Sequence, residues 1–225
     1  MKATRLLATC TAPDGAELVL QEHDGHHFLK VAGFGVMSTK ASFSEEQMAE
    51  LACAHLPVKP RVLIGGLGFG FTLKRVAALC GPDARIEVAE LIPEVVTWNR
   101  DFLQEVNGKL LEDARVRVHV GDVYHLMDRG TGPGGGRFHA ILLDVDNGPD
   151  ALLQRLNRRI YQGPGLERIR QALHPGGRVV FWSSHPDPAF ARDLGRLFRR
   201  VETVRSKEYA KAKRPAHTLF VADRD

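Results

Sequence analysis

The spacing of apolar positions changes near residue 44. Over residues 4–32, β-forming runs are separated by Pro13-Asp14-Gly15 and Asp24-Gly25, two turn signals that predict a β-meander. Gly33 and Gly35 flank Phe34 and are expected to end its third run. Ser44-Glu45-Glu46-Gln47 places a serine at a helix start and a glutamine three positions on, the pattern of a capping box with Ser44 as N-cap. Met48, Leu51, Ala52 and His55 keep helical spacing behind it, and Pro57 and Pro60 mark a linker.

From Arg61 onward, strand-like and helix-like segments alternate. The strands are expected at 61–65, 85–89, 115–120, 138–144, 178–183, 201–205 and 217–222. The helices are expected at 70–80, 93–107, 150–160, 164–173 and 187–198. Pro93 suits a first helical turn, and Pro175-Gly176-Gly177 reads as a helix stop that turns into the next strand. Such alternation predicts an α/β fold with a doubly wound, mainly parallel, Rossmann-like sheet. The last run, His217-Thr218-Leu219-Phe220-Val221, follows its predecessor without a clear helix between them, so an antiparallel final strand is expected. The chain divides into a β-meander at 1–43, a helix and linker at 44–60, and a nucleoside-binding domain at 61–225.

Composition narrows the function classes. The chain has 225 residues, 44% of them hydrophobic, enough for a full core and against disorder. No apolar run approaches the roughly 20 residues of a membrane helix, and the first residues lack the apolar core of a signal peptide. A cytoplasmic protein without membrane contact is expected. Cys10, Cys53 and Cys80 have no metal-binding spacing and read as free thiols. The net charge of +4 is mild. Its arginine clusters, Arg155-Arg158-Arg159 and Arg196-Arg199-Arg200, lack the interleaved aromatics of a base-stacking platform. They read as solvated helix faces, and nucleic acid is not an expected partner.

The chemistry gathers at the carboxyl ends of the predicted strands, where open α/β sheets bind ligands. Gly66, Gly68 and Gly70 follow the first strand of the alternating region. Glu90, with Leu91 after it, follows the second; Asp122, with Val123 after it, follows the third; Asp144 and Asp146 follow the fourth. Glycines let a backbone approach a ligand and present N–H groups at a helix start. A carboxylate at the second strand can accept both ribose hydroxyls, one at the third an adenine amino group, and one at the fourth faces what lies beyond the ribose. A single G-x-G-x-G turn is also what a tight strand-to-helix connection looks like, and a single glutamate is commonly a surface residue. Four such features in order at equivalent strand ends point to a site. A dinucleotide fits less well than a nucleoside, because the third glycine of G-x-G-x-x-G would fall at Phe71.

The segments VLIGGLGFGFTLKRV, EVAELIPEVVTWNR, VRVHVGDVYHLM, FHAILLDVDNGP and IYQGPGLERIRQALHPGGRVVFW resemble the spermidine synthases. These are polyamine aminopropyltransferases with the fold of S-adenosylmethionine-dependent methyltransferases. The resemblance covers roughly Arg61 to Trp182. It implies a transferase of polyamine biosynthesis that moves an aminopropyl group from decarboxylated S-adenosylmethionine to an amine such as putrescine, and a homodimer. It implies that Glu90 binds ribose, that Asp122 lies on the adenine side and that Asp144 is the catalytic base. Asp146 or Asn147 falls near the family's second acid, one residue out of step. The family's turn reads G-G-G-D-G-G, and its aspartate falls at Phe69 here, with Leu67 and Phe71 at two of its glycines. A different acid, Asp146 or Asp150, or a different substrate is then required. Two alternatives therefore stand beside aminopropyl transfer: an S-adenosylmethionine-dependent methyltransferase, and a non-catalytic nucleoside-binding relative.

Other candidates carry less. His119, Asp122 and His125 are spaced on a strand-to-loop segment that does not make them converge on a metal, so no metal is expected. His185 reads first as a helix-start residue, Trp98 and Trp182 as core, and Tyr161 as either a substrate contact or packing.

Overall fold

The structure, a computed structural model, describes residues 3–130, 136–145, 148 and 155–225. Two sheets organise them. The first is an antiparallel meander in chain order, β1 (Arg5–Thr11), β2 (Glu17–His23), β3 (His26–Val31) and β4 (Phe34–Ser38). Asp24 and Gly25 both have positive φ, 52° and 75°, as a two-residue hairpin turn requires. The third strand ends at Val31, before the glycines at 33 and 35 as expected, and the meander goes on into β4, which the sequence reading does not include. Ala32 and Gly33 form a second positive-φ turn, and the chain returns as a fourth strand carrying Met37.

Helix α1 (Phe43–Cys53) follows, and its start is also a correction. The N-cap is Ser42, whose hydroxyl donates to Glu46 Oε1 at 2.8 Å. Ser44 lies inside the first turn, buried, with its hydroxyl directed to Glu45 Oε2 at 2.6 Å. Two serines two residues apart offer two registers for the same motif, and burial of Ser44 selects the earlier one.

The second sheet comprises β5 (Arg61–Gly65), β6 (Arg85–Glu90), β7 (Val116–Val120), β8 (Phe138–Leu143), β9 (Leu173–Ser183), β10 (Arg200–Ser206) and β11 (His217–Asp223). Their order is β10-β11-β9-β8-β5-β6-β7. β5 pairs in parallel with β6 and β8, and β6 with β7 and β8 with β9 are parallel too. β11 runs antiparallel to both its neighbours, as its short connection predicts. This is the Rossmann-like arrangement of methyltransferase type. The order reverses between β5 and β8, so the glycine turn after β5 opens beside the end of β8.

Residues alternate between two cores. Val62 and Ile64 of β5 pack towards the meander and α1, and Leu63 packs on the opposite face. Both faces are covered, as parallel strands require. The helices are α2 (Phe71–Leu79), α3 (Pro93–Asp101), α4 (Gln104–Asn107), α5 (Val123–Leu126), α6 (Gly163–Ala172) and α7 (Pro188–Leu197). The helix expected over 93–107 is broken. The amides of Phe102 and Leu103 both converge on the Trp98 carbonyl, Leu103 is drawn into the core, and α4 turns Asn107 under the glycine turn. Of the helix expected at 150–160, residues 150–154 lie outside the described residues, and 155–160 form a 3-10 helix. The glycine-rich 131–135 also lies outside them. The three cysteines carry free thiols.

Candidate functional site

The turn after β5 is built by its backbone. Gly66, Gly68 and Gly70 all have positive φ, 89°, 51° and 81°, a region that side chains disfavour. At Gly66 space is also limiting, since a β-carbon would lie 2.1 Å from the Asp144 carbonyl oxygen. The turn is fixed from outside by groups that take its polar atoms. Glu90 Oε2 accepts the Leu67 amide at 2.9 Å and Glu90 Oε1 accepts the Ile92 amide at 2.9 Å. On the other side Asn99 Nδ2 donates to the Gly68 carbonyl at 2.8 Å, and Asn107 Nδ2 donates to the Phe69 carbonyl at 3.3 Å. Asn99 and Asn107 are buried and bonded to each other at 2.5 Å. Neither has a motif around it, which is why the sequence does not single them out.

One cavity collects most of the predicted site. Gly66, Gly68, Glu90, Leu91, Asp122, Val123 and Asp144 all line it. Gly70 does not; it is the N-cap of α2, packed against Asn99 and Asn107. Asp146, Asn147 and Asp150 lie outside the described residues. His119 faces Glu87, 3.2 Å away, and Asp122 faces Arg159, so these two turn to different partners. Tyr161 is buried between Phe181 and Phe190, and His185 precedes α7 without lining the cavity.

The four acids differ in what they hold. Glu90 is buried; desolvation pushes its carboxyl above the usual range, and the backbone amides it accepts pull it back. Asp122 is the N-cap of α5, accepting the Tyr124 amide at 2.8 Å, and it is ion-paired with Arg159. The guanidinium of Arg159 also lies over the Tyr124 ring, 4.3 Å from its centroid. Arg159 is therefore part of the site's frame rather than a solvated helix face. Asp144 has its carboxyl raised to about 7 by burial first and by the neighbouring Glu45 second, with Thr72 opposing the shift. The Thr72 hydroxyl lies 3.5 Å from Asp144 Oδ2.

Glu45 is the fourth acid, and in the sequence it is only one residue of a capping box. It is 9% exposed, lines the cavity, and has its carboxyl raised by desolvation. Trp182 Nε1 donates to Ser44 Oγ at 3.1 Å, and Ser44 donates to Glu45. Trp182 packs against the core and lines the cavity as well; Trp98 is core. The meander supplies the remaining wall, Leu18, Leu29, Val31, Val36 and Met37. Among the described lining residues there is no lysine, arginine or histidine.

Phe69 lies where the resemblance implies an acid. It is 2% exposed, sits in the core with its ring edge-on to Phe71 at 6.2 Å, and does not line the cavity. Its amide points to the Met37 sulfur at 3.2 Å.

Among curated proteins, the polyamine aminopropyltransferase of Corynebacterium efficiens is 33% identical over 123 residues, 55% of this chain and 22% of that protein. The spermidine synthase of Coffea arabica is 30% identical over 135 residues, 60% of this chain and 40% of that protein. Among solved structures, the spermidine synthase of Thermotoga maritima superimposes with a TM-score of 0.74 at 15% identity, over 98% of this chain and 73% of that one. The chain resembles the polyamine aminopropyltransferases. It spans less than half the length of these two curated aminopropyltransferases. The human methyltransferase-like protein 13, solved with S-adenosylhomocysteine, shares the fold at a TM-score of 0.59 and 16% identity, over 83% of this chain and 82% of that one. No protein-family model matches the chain.

Proposed function

We propose that the protein is an aminopropyltransferase that uses decarboxylated S-adenosylmethionine and a small amine. The observation that carries this reading is the lining of the cavity: four carboxyl groups and, among the described lining residues, no basic side chain. Such a wall favours a substrate that is cationic at every charged group. Decarboxylated S-adenosylmethionine, with a sulfonium and an ammonium, meets that condition. The resemblance to aminopropyltransferases supports the same choice.

In this reading Glu90 accepts the ribose hydroxyls and Leu91 and Val123 flank the adenine. Asp122, already engaged by Arg159, positions the adenine edge through the start of α5. Asp144 accepts a proton from the acceptor amine, which is a nucleophile only when uncharged. The nitrogen lone pair attacks the propyl carbon bound to sulfur. The carbon–sulfur bond breaks, its electron pair stays on sulfur, and neutral methylthioadenosine leaves. A carboxyl raised to about 7 is well matched to that proton transfer near neutral pH. A cytoplasmic homodimer belongs to the same proposal.

Methyl transfer from ordinary S-adenosylmethionine is the second reading, favoured by the absence of an acid at Phe69. Mass spectrometry of turnover mixtures separates the two. Methylthioadenosine formed with decarboxylated S-adenosylmethionine and putrescine, and lost in a folded Asp144→Asn variant, is expected. S-adenosylhomocysteine as the nucleoside product would replace this reading with the second.

A further inference from the structure

We infer that Glu45 binds the primary ammonium at the end of the nucleoside's propyl arm and thereby selects decarboxylated over ordinary S-adenosylmethionine. This inference rests on the aminopropyl-transfer reading above and names the residue that sets its co-substrate specificity. The turn after β5 offers no side chain for that role, because Phe69 is packed into the core. Two of the cavity's acids are engaged elsewhere. Glu90 has an amide on each oxygen, and Asp122 holds Tyr124 and Arg159. Asp144 sits at the end of β8, against the glycine turn, where Gly66 approaches its carbonyl. Glu45 comes from α1 and lines the same cavity as Asp144.

The orientation of Glu45 is specified. Trp182 fixes the Ser44 hydroxyl, which in turn fixes Glu45 Oε2 at 2.6 Å. A carboxyl held this way in a cavity wall is prepared for a cation that loses its water on entry. The extra carboxylate of ordinary S-adenosylmethionine would instead meet two acids, Glu45 and Asp144, with no lysine, arginine or histidine among the described lining residues to offset it. That is repulsion built against the wrong co-substrate as well as attraction for the right one.

The test is a set of dissociation constants by calorimetry, for decarboxylated S-adenosylmethionine, ordinary S-adenosylmethionine and methylthioadenosine. These are measured on the wild-type protein and on Glu45→Gln, with circular dichroism to establish folding. The wild-type protein is expected to prefer the decarboxylated form by at least about 30-fold, and Glu45→Gln to lower that preference to about threefold. Methylthioadenosine, which has no ammonium, should bind both within about twofold. A folded Glu45→Gln that keeps the full preference overturns the role of Glu45 and leaves the function standing. A wild-type protein that prefers ordinary S-adenosylmethionine overturns the function itself, and this inference with it. Should Glu45→Gln fail to fold, Glu45→Asp withdraws the carboxylate by one methylene. An unchanged preference there also overturns the role, and an intermediate preference supports it.

Discussion

Leu67 donates its amide to Glu90 at 2.9 Å, so the acid that ends the second strand of the parallel sheet holds the turn after the first. One carboxylate shapes the loop and lines the cavity. Glu90→Gln replaces one accepting oxygen by a donor facing an amide. It is expected to destabilise the protein by about 1–3 kcal/mol and to weaken methylthioadenosine binding at least about tenfold. Thermal melts and calorimetry on the same preparation check both, and a variant that melts normally and binds normally would refute the double role.

Gly66 is limited by backbone rather than by side chains. Gly66→Ala combines a φ of 89° with a contact of 2.1 Å to the Asp144 carbonyl, and backbone on both sides cannot rotate away. A loss above about 2 kcal/mol is expected by chemical denaturation. Gly68 differs, because its β-carbon would meet the end of Met37 at 2.6 Å. Met37→Ala should recover part of the Gly68→Ala loss and none of the Gly66→Ala loss.

Phe69 is expected to matter for stability and hardly at all for ligand binding. Phe69→Ala removes a core ring and should cost about 3–5 kcal/mol. Phe69→Asp should be worse, since it buries a charge with no partner. Phe69→Leu, if folded, should bind methylthioadenosine within about threefold of wild type. A gain in turnover for Phe69→Asp would contradict the placement of this side chain in the core.

Asp144 ties stability and rate to pH in opposite senses. Its carboxyl lies near 7 in the folded protein against 3.8 for the ordinary group, with burial the leading cause and Glu45 next. The native state therefore keeps a proton that the unfolded chain has already lost. The contribution to stability is present below about pH 4 and falls as pH rises towards 7. Asp144→Asn should melt like wild type at pH 4 and a few degrees higher above pH 7. If Asp144 is the base, kcat/KM falls about tenfold per pH unit below 7, and Asp144→Asn lowers it about 10²- to 10⁴-fold. Melting curves across pH 4 to 8.5 check the first part, and a gap that narrows as pH rises would contradict it.

The parallel sheet is legible in the sequence because its strands are short apolar runs bounded by turn residues, and its last strand because no helix fits before it. The positions of Gly66, Glu90, Asp122 and Asp144 follow from that, since strand ends are where β5 to β8 must open. What is not legible there depends on contacts between distant segments. Glu45 reads as a helix-start acid until Trp182, 137 positions later, fixes Ser44 beside it. Arg159 reads as a surface arginine until Asp122 is across from it. Asn99 supports the turn from α3, and Asn107 joins it from α4, after the helix breaks where Leu103 enters the core. The fourth meander strand is not legible because glycines at 33 and 35 mark a turn and an end equally well.

A crystal structure with methylthioadenosine decides the arrangement, because what is at stake is where each group lies. The nucleoside is expected in the cavity, its ribose hydroxyls on Glu90, its adenine between Leu91 and Val123, and its sulfur towards Asp144 and Glu45. A nucleoside bound elsewhere on the protein, or turned with its ribose away from Glu90, would contradict it.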